Sequence, residues 1–578
     1  MNNYIYFGFC FLVLTLISTL HFFYLDQSPL GIRLFFFIYG IGQAILEVGA
    51  FLLLNRFFPR SGWIFFVLLL IHFSDFTNIH LMDAPISYGF KCFFGCGVDH
   101  FFATLQAIHL NFTMALLILC STALIPFIGL LFYKATNRLS LRRPWNLTPN
   151  QVATALCVTF TALLALEFGV RSSLPHSSYT KFAKTLPFGA TFFSPTYDLT
   201  SAPPVPFREE QKMHDQLTTL PSTLDKRPNI YIWVVEAIRR DFVTPETAPN
   251  WTLFGERYGT FPLSTSNANA TQLCWYAIFH SNIPYYWARS REQWNGGSLP
   301  LTLLKQLGYK LHLYSAADFH YYRMDRLLFG EGLHLVDQVT DFSSDWSLEP
   351  WERDSKALSA FFQDLEAPDA REGNVYLFFM DGTHSEYSFP ETEPLRFTPI
   401  VSQINYLTLT HTRKDLEGLK NRYRNAIFHI DSLAGQFLQK LTKKELFDEA
   451  IITFTSDHGE EFFEEGSLFH GTHLNTMQTH VPLLMKFGNS PAPKAELASH
   501  IDIFPTIFHF LLGRNDWSNL FDGVSLLQET KRDYLISVMQ NAAETPTAFM
   551  FQNLEEQIPL LIDWTQSSDM LFTDTAPE

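Results

Sequence analysis

The sequence predicts a two-part protein, in which an N-terminal domain of five transmembrane helices precedes an α/β domain built on a doubly wound, mostly parallel sheet. Five apolar stretches lie before residue 172, and short apolar runs alternate with helical patterns between residues 229 and 513. The composition agrees, because 47% of the 578 residues are apolar and only 17% are charged, which is typical of a chain with a membrane part. The net charge of -16 argues against nucleic acid as a partner, which needs a basic surface.

The membrane domain is predicted to comprise residues 1–172. Most of its apolar stretches approach the ~20 residues that a helix needs to cross the hydrocarbon core. The third stretch is the weakest, because Asp75 follows it closely. The first stretch lacks the basic start of a signal peptide, so we interpret it as an anchor. The predicted spans are Tyr4–Tyr24, Leu34–Leu54, Trp63–Phe73, Leu105–Phe132 and Val152–Val170.

Charges in the loops predict the orientation of these helices. The loop after the second span carries Arg56 and Arg60. The loop after the fourth span carries Lys134, Arg138, Arg142 and Arg143. Because basic loops remain in the cytoplasm, we expect a cytoplasmic N-terminus and an α/β domain on the outer side of the membrane.

Few ionisable residues interrupt the spans, which makes a transporter a weak alternative. Glu47, in mid-span, is a candidate for a contact between helices or with a membrane-protein partner, whereas Glu167 is expected to reach the interface. Cys92 and Cys96 fall in a predicted outer loop. Their spacing fits either a local disulfide or a free pair.

Sequence patterns divide the rest of the chain into a linker, an α/β domain and an extension of that domain. Residues 173–226 carry no sustained period and indicate a linker. The α/β domain is expected over residues 227–515, and residues 516–578 are expected to extend it. Leu301–Leu307 is predicted to be a helix ending at Gly308, and Arg413–Leu441 a long amphipathic helix. The predicted strands are Ile230–Val235, Lys310–Tyr314, Val375–Met380, Ile451–Phe454 and Val481–Phe487.

Polar residues able to carry chemistry occur where these apolar runs end. They are Glu236, His384, Asp457, His458, His470 and His480. Because ligands bind at the carboxyl ends of the strands of a doubly wound sheet, we expect such side chains to converge at one edge. Carboxylates and imidazoles together suit a hard or borderline divalent ion. The pattern therefore predicts a metal site.

Four motifs resemble those of the alkaline phosphatase/sulfatase superfamily, in the order in which that family has them. NIYIWVVEAIRRD at 229–241 resembles its opening strand and first metal ligand, and TSDHGEE at 455–461 its most specific motif. HGTHLNTMQTHVPLL at 470–484 resembles its His-Gly segment and the following strand. SHIDIFPTIF at 499–508 resembles the signature near the end of the domain. The resemblance covers residues 229 to 513 and implies a sulfatase-like fold.

The resemblance implies roles for individual residues. Glu236, Thr271, Asp457 and His458 match the primary metal site, which would hold Mn, Zn or Mg, with Thr271 as the catalytic nucleophile. His384 and His470 match positions that contact the phosphoryl group or a second metal. The chain lacks the C/S-x-P-x-R motif that true sulfatases carry, so arylsulfatase activity is not expected. Read from the residue alone, Thr271 could instead be only a helix N-cap.

The five-span anchor resembles lipoteichoic acid synthases, phosphoethanolamine transferases and YejM-type inner-membrane sulfatase-like proteins. It implies a multi-pass protein of the inner (cytoplasmic) membrane with its large domain in the periplasm. We expect a metal-dependent phosphotransferase or phosphodiesterase that acts on a phospholipid, a lipopolysaccharide or an envelope glycolipid through a phosphothreonine. The alternative is a catalytically weak lipopolysaccharide sensor that regulates through a membrane-protein partner.

Overall fold

A computed structural model provides the structure of the chain, and its described residues form two compact units, one within residues 1–198 and the other within residues 199–562. The proposed boundaries at residues 172, 226 and 515 remain predictions. Cys92 and Cys96 lie outside the described residues. The structure describes residues 3–24, 30–58, 61–82, 86, 112–142, 148–170, 186, 192, 208–220, 223–391, 395–401, 413–471, 473–493, 495–529, 532–540, 546–555 and 557–561.

The first unit has a helix at each of the five predicted positions. These helices are α1 (Tyr4–Tyr24), α2 (Leu30–Phe57), α3 (Phe65–Met82), α4 (Phe112–Arg142) and α5 (Pro149–Val170). Within the described residues, three segments are long and apolar enough to cross a membrane, namely Tyr4–Phe22, Leu30–Phe57 and Pro149–Val170. A count of five membrane-spanning helices therefore remains a prediction.

Helix α3 continues past Asp75, the charged residue that made the third predicted span the weakest. The side chain of Asp75 is 6% exposed, and its Oδ1 atom accepts a hydrogen bond from the backbone N–H of Ile86 at 2.5 Å. A partnered carboxylate can remain inside a bundle, where an unpartnered one would be costly. Asp75 therefore does not interrupt the helix.

The two acidic residues flagged within the spans both make contacts between helices. Glu47 of α2 lies 2.9 Å from Nε2 of His72 on α3, which confirms the interhelix contact. Glu167 of α5 accepts a hydrogen bond from the hydroxyl of Tyr39 on α2 at 2.6 Å and is only 1% exposed. The expectation that Glu167 reaches the interface was wrong, because its carboxylate has a hydroxyl partner inside the bundle.

The second unit is built around a six-stranded sheet with the order β4-β3-β5-β1-β6-β9. Its strands are β1 (Ile230–Val235), β3 (Lys310–Ser315), β4 (Gln338–Asp341), β5 (Asn374–Met380), β6 (Ile451–Ser456) and β9 (Leu483–Phe487). Strand β1 pairs in parallel with β5 on one side and with β6 on the other. The central position of β1 explains its six fully buried residues.

Two features of this sheet differ from the prediction. Strand β4 was missed, because it is a short edge strand whose residues, QVTD, include one apolar side chain. The run Val481–Phe487 forms an edge strand that is antiparallel to β6 and not parallel. A parallel connection needs a crossover of a dozen or more residues, usually helical. The described residues of the connection from β6 include two short strands, Glu461–Phe462 and Leu468–Phe469, and a helix of only four residues, Thr476–Thr479.

Helices cover both faces of the sheet. The α-helices described in this unit are α6 (Glu210–Leu217), α7 (Pro249–Tyr258), α8 (Thr271–His280), α9 (Trp287–Gln293), α10 (Leu299–Gln306), α11 (Met324–Phe329), α12 (Pro350–Asp364), α13 (Arg413–Lys443), α14 (Thr476–Thr479) and α15 (Ile503–Leu512). Side chains of β1 alternate between the faces. Ile232 packs in the core that includes Leu273 of α8, whereas Trp233 contacts Phe437 of α13. The two predicted helices are confirmed as α10 and α13.

Smaller strands lie outside the main sheet, and some of them support the segment that leads into α8. They are β2 (Leu263–Thr265), β7 (Glu461–Phe462), β8 (Leu468–Phe469), β10 (Leu497–Ser499), β11 (Leu535–Gln540), β12 (Pro546–Gln552) and β13 (Gln557–Leu561). The backbone N–H of Val538 in β11 donates to the carbonyl of Asn267 at 2.8 Å, and the hydroxyl of Ser537 donates to the carbonyl of Ser266 at 2.6 Å. The three-stranded sheet β11–β12–β13 thus holds the approach to Thr271.

Candidate active site

The carboxyl end of β1 presents Glu236 to the centre of the sheet edge. Glu236 is 4% exposed, and its backbone N–H donates to the carbonyl of Met380 at the end of β5. The next residue, Ala237, has a φ of 55°, in the left-handed region that costs energy for a residue other than glycine. This turn directs the Glu236 carboxylate over the ends of the neighbouring strands.

The carboxyl end of β6 brings Asp457 and His458 to the same place. Oδ1 of Asp457 accepts hydrogen bonds from the backbone N–H groups of Ala237 at 2.9 Å and His458 at 2.8 Å. Its other oxygen, Oδ2, is buried, and no group among the described residues donates a hydrogen bond to it. A buried carboxylate oxygen without a donor is costly unless a cation binds it.

Thr271 is the first residue of α8, and the helix is capped at Ala270. The interpretation of Thr271 as an N-cap alone is therefore wrong. Its hydroxyl donates to Oε1 of Glu236 at 3.2 Å and lies 3.1 Å from Nε2 of His458. The N-terminal end of a helix also favours a negatively charged group such as a phosphate.

Glu236, Asp457 and His458 form a group that could hold a metal ion. Their candidate ligand atoms all lie within 4.8 Å of one another, and all three side chains are buried. Two carboxylates, an imidazole and the nearby hydroxyl make a donor set suited to a borderline divalent cation. The undonated oxygen of Asp457 is what such an ion would satisfy, so the residues present fit a bound metal.

The charged groups of this site shift one another's pKa values. Burial raises the pKa of Asp457, and the carboxylate of Glu236 raises it further. Burial alone would also raise the pKa of Glu236, but His458 outweighs it and lowers that pKa overall. Although burial disfavours its charged form, His458 has a pKa raised to about 10 by Asp457 and Glu236. Two buried carboxyl groups thus share the positive charge of one imidazolium. A bound divalent ion would supply that positive charge instead.

His384 and His470 join Glu236 in a second group of candidate ligands, again within 4.8 Å of one another. The ring of His470 lies 4.0 Å from that of His458 and 5.8 Å from that of His384, measured between ring centroids. Burial and the neighbouring His458 lower the pKa of His470, which favours a neutral imidazole there. The structure thus brings all six predicted site residues together.

Other residues that sequence patterns flagged have different positions. His480 bonds through Nε2 to Oε1 of Gln552 at 2.7 Å and belongs to neither group of candidate ligands. Cys274 is fully buried one helical turn after Thr271. Burial raises the pKa of its thiol, and Asp457 and Glu236 raise it further. A protonated thiol is a poor nucleophile, which supports Thr271 over Cys274.

Two residues near the site escaped the sequence patterns. Glu460 is fully buried, and its Oε2 atom lies 3.0 Å from Nδ1 of His470. Burial raises the pKa of Tyr321, and the charge of Glu236 raises it further, whereas a side-chain hydrogen bond with Thr271 opposes that rise. Glu460 stands within the TSDHGEE motif, but nothing in its spacing shows that it bonds to His470. No pattern in the sequence marks Tyr321.

Comparisons with known proteins identify the large domain. Residues 246–513 match the sequence model of the Sulfatase family. These residues are therefore a Sulfatase-family domain, which agrees with the family resemblance of the motifs that they contain. Glu236 precedes the matched segment, and Thr271, His384, Asp457, His458 and His470 lie within it.

The similarity to individual proteins is distant. The chain is 27% identical over 145 residues to arylsulfatase K of Mus musculus, and the alignment spans 24% of this chain and 24% of that relative. The chain thus spans about a quarter of the length of the curated relatives that it matches. Its activity and substrate do not follow from these relatives.

Two solved structures align with this chain. The lipooligosaccharide phosphoethanolamine transferase A of Neisseria meningitidis aligns with a TM-score of 0.51 and 14% identity, over 88% of this chain and 93% of that chain. The lipoteichoic acid synthase LtaP of Listeria monocytogenes aligns with a TM-score of 0.42 and 15% identity, over 61% of this chain and 90% of that chain. The first of these likenesses supports the overall fold.

Proposed function

We propose that the chain is a membrane-anchored, metal-dependent phosphotransferase or phosphodiesterase that works through a phosphothreonine at Thr271. One observation carries the proposal. The hydroxyl of Thr271, at the start of α8, lies within hydrogen-bond distance of both Glu236 and His458. A hydroxyl group needs such an environment, because at its ordinary pKa it is a weak nucleophile.

Glu236, Asp457 and His458 would hold the divalent ion, which we propose to be Mn, Zn or Mg. Bound there, the ion would supply Lewis acidity, which lowers the pKa of a hydroxyl and offsets negative charge on a phosphoryl group. The buried carboxylates would position the ion. The undonated oxygen of Asp457 is the feature of the chain that supports this role most directly.

Thr271 supplies the oxygen that attacks phosphorus. As its Oγ1 atom bonds to phosphorus, the hydroxyl gives up its proton, the bond from phosphorus to the leaving oxygen breaks, and the leaving alkoxide takes up a proton to become the alcohol. Water or an acceptor alcohol then releases the phosphoryl group and restores the hydroxyl. His384 and His470 face the same carboxylate as Thr271, and we propose that they donate hydrogen bonds to the phosphoryl oxygens.

The substrate proposal rests on the anchor. A domain tethered to apolar helices meets phospholipids, lipopolysaccharides and envelope glycolipids first. The solved relative with 14% identity is itself a lipooligosaccharide phosphoethanolamine transferase, which supports a lipid-linked substrate in the periplasm and a position in the inner membrane. A sensor with an idle site is not favoured, because the nucleophile and the candidate ligands converge.

The test uses the full-length protein in detergent. Metal content is measured, and turnover of a chromogenic phosphodiester is followed before and after treatment with a chelator. We expect a stoichiometric divalent metal and turnover that chelation abolishes and metal restores. A metal-free protein whose turnover is unaffected by chelator and by added metal would contradict the proposal.

A further inference from the structure

The turn that carries Glu236 is held mainly by side chains from other elements. The backbone N–H groups of residues 237–239 each donate to a side chain and not to a backbone carbonyl. Their acceptors are Oδ1 of Asp457 at 2.9 Å, Oγ of Ser456 at 2.5 Å and the hydroxyl of Tyr423 at 2.9 Å. The first two acceptors belong to the end of β6 and the loop that follows it. The third comes from the long helix α13.

Tyr423 bonds to this turn twice. Its hydroxyl accepts from the N–H of Arg239 and donates to the carbonyl of Ala237 at 2.5 Å. The side chain is fully buried, and its ring packs against those of Phe242 and Phe462. Because Ala237 has a left-handed backbone, the turn keeps its shape only while surrounding partners hold it.

Neighbours of Tyr423 on α13 bond to the other two loops that carry site residues. Arg422 donates through Nε to the carbonyl of Glu386 at 2.6 Å, just after His384. Nζ of Lys420 lies 2.8 Å from Oε1 of Glu464, between His458 and His470 in the chain. We call residues 420–423 the clamp segment. Lys420, Arg422 and Tyr423 each contact a different loop at the sheet edge.

We propose that the clamp segment holds the three loops in fixed positions relative to one another and that Tyr423 is the positioning residue for Glu236. Glu236 is the one residue that the two described groups of candidate ligands share. A shift of its turn would therefore disturb both groups at once. The predicted effect on kcat rests on the proposed function. The predicted effect on metal affinity does not, because it can be measured without turnover.

Replacing Tyr423 with Phe tests the two hydrogen bonds that its hydroxyl makes. Tyr423→Phe keeps the ring and removes one oxygen, which leaves the N–H of Arg239 and the carbonyl of Ala237 without that partner. An unsatisfied buried group costs about 1–3 kcal/mol, so we expect affinity for Mn²⁺ and kcat to fall by about 5- to 150-fold, with a smaller change in KM.

The matched control is Tyr314→Phe. Tyr314 is also fully buried, and its hydroxyl donates to Oδ2 of Asp364 at 2.6 Å, away from the three loops. The experiment measures Mn²⁺ affinity of metal-stripped, full-length protein in detergent, together with kcat, KM and thermal unfolding for both variants. We expect Tyr314→Phe to keep the affinity and kcat of the wild type. Equal losses in the two variants, or none in Tyr423→Phe, would overturn the inference.

A second variant tests the contact that Arg422 of the clamp segment makes with the carbonyl of Glu386. Arg422→Gln removes the contact to the Glu386 carbonyl, so it should lower kcat through the His384 loop while leaving Mn²⁺ affinity near that of the wild type. If Tyr423→Phe does not fold, wild-type kcat in Arg422→Gln overturns the inference. If the wild type turns over no phosphodiester, the proposed function fails, and the Mn²⁺ affinity of Tyr423→Phe still decides the role of Tyr423.

Discussion

Oγ1 of Thr271 lies 3.1 Å from Nε2 of His458, although 187 residues separate them in the chain. The contact joins the start of helix α8 to the end of strand β6. The same hydroxyl bonds to the buried carboxylate of Glu236, and Nε2 of His458 also lies 3.6 Å from Oδ2 of Asp457. This relationship connects the fold to the proposed chemistry, because it puts a nucleophile beside candidate metal ligands.

Asp457 should be required for metal binding. Asp457→Ala removes the oxygen that lacks a donor, so we expect metal affinity to fall by more than the about 10- to 100-fold that loss of an outer-shell partner typically causes. The measurement is metal content of full-length protein after dialysis against a defined free-metal concentration. Asp364→Asn, at a carboxylate that accepts hydrogen bonds from Tyr314 and Gln338, is the control that should retain metal. Full metal content in well-folded Asp457→Ala would remove Asp457 from the ligand set.

Glu460 should act through His470. Glu460→Gln keeps the volume of the side chain and replaces a carboxylate with an amide beside Nδ1 of His470. Because a partner of this kind fixes the orientation of an imidazole, we expect kcat to fall by about 10- to 100-fold, while the content of metal stays near that of the wild type. Kinetics of a chromogenic phosphodiester and metal analysis check this. Wild-type kcat in the variant would show that His470 needs no such partner.

His320 should contribute stability that depends on pH. Its ring lies 3.4 Å from both Asp325 and Asp341, and these two partners raise its pKa from 6.5 to about 10. The folded state therefore binds this proton more tightly than the unfolded state. The contribution is fully present below pH 6.5 and is lost as the pH rises through about 10.

The matched variant for this prediction is His320→Gln, which cannot carry the charge. We expect the wild type to unfold at a higher temperature than the variant at pH 6, with a difference that shrinks towards pH 10. The difference should be small, because half of the His320 side chain is exposed. A difference that stays constant or grows between pH 6 and pH 10 would contradict the assignment.

The proposed orientation of the chain can be tested with introduced cysteines. Asn515 and Arg138 are both exposed, the first in the large domain and the second near the end of α4. In a chain with Cys92 and Cys96 replaced by Ser, a membrane-impermeant maleimide added to spheroplasts should label Asn515→Cys and not Arg138→Cys. Detergent should expose both. The reverse pattern would place the large domain in the cytoplasm.

Local patterns in the sequence predicted the central strands and marked five of the six candidate site residues that the structure brings together, whereas Thr271 followed only from the family resemblance. A fully buried strand reads as an uninterrupted apolar run, as in Ile230–Val235, and its first polar residue marks the sheet edge. The edge strand β4 lacks such a run. Contacts made by Tyr423 and Glu460 were also missed, because they depend on which side chains meet across the fold, and no spacing within the chain encodes that.

The capture of the covalent intermediate tests the central claim most directly. Full-length protein is mixed with a chromogenic phosphodiester, quenched with acid within one turnover, digested and measured by mass spectrometry. We predict a phosphoryl ester on Thr271 in the wild type and in Cys274→Ser, and turnover reduced by about 10³-fold or more in Thr271→Ala, with no ester. An ester on Cys274, or full turnover by Thr271→Ala, would contradict the account.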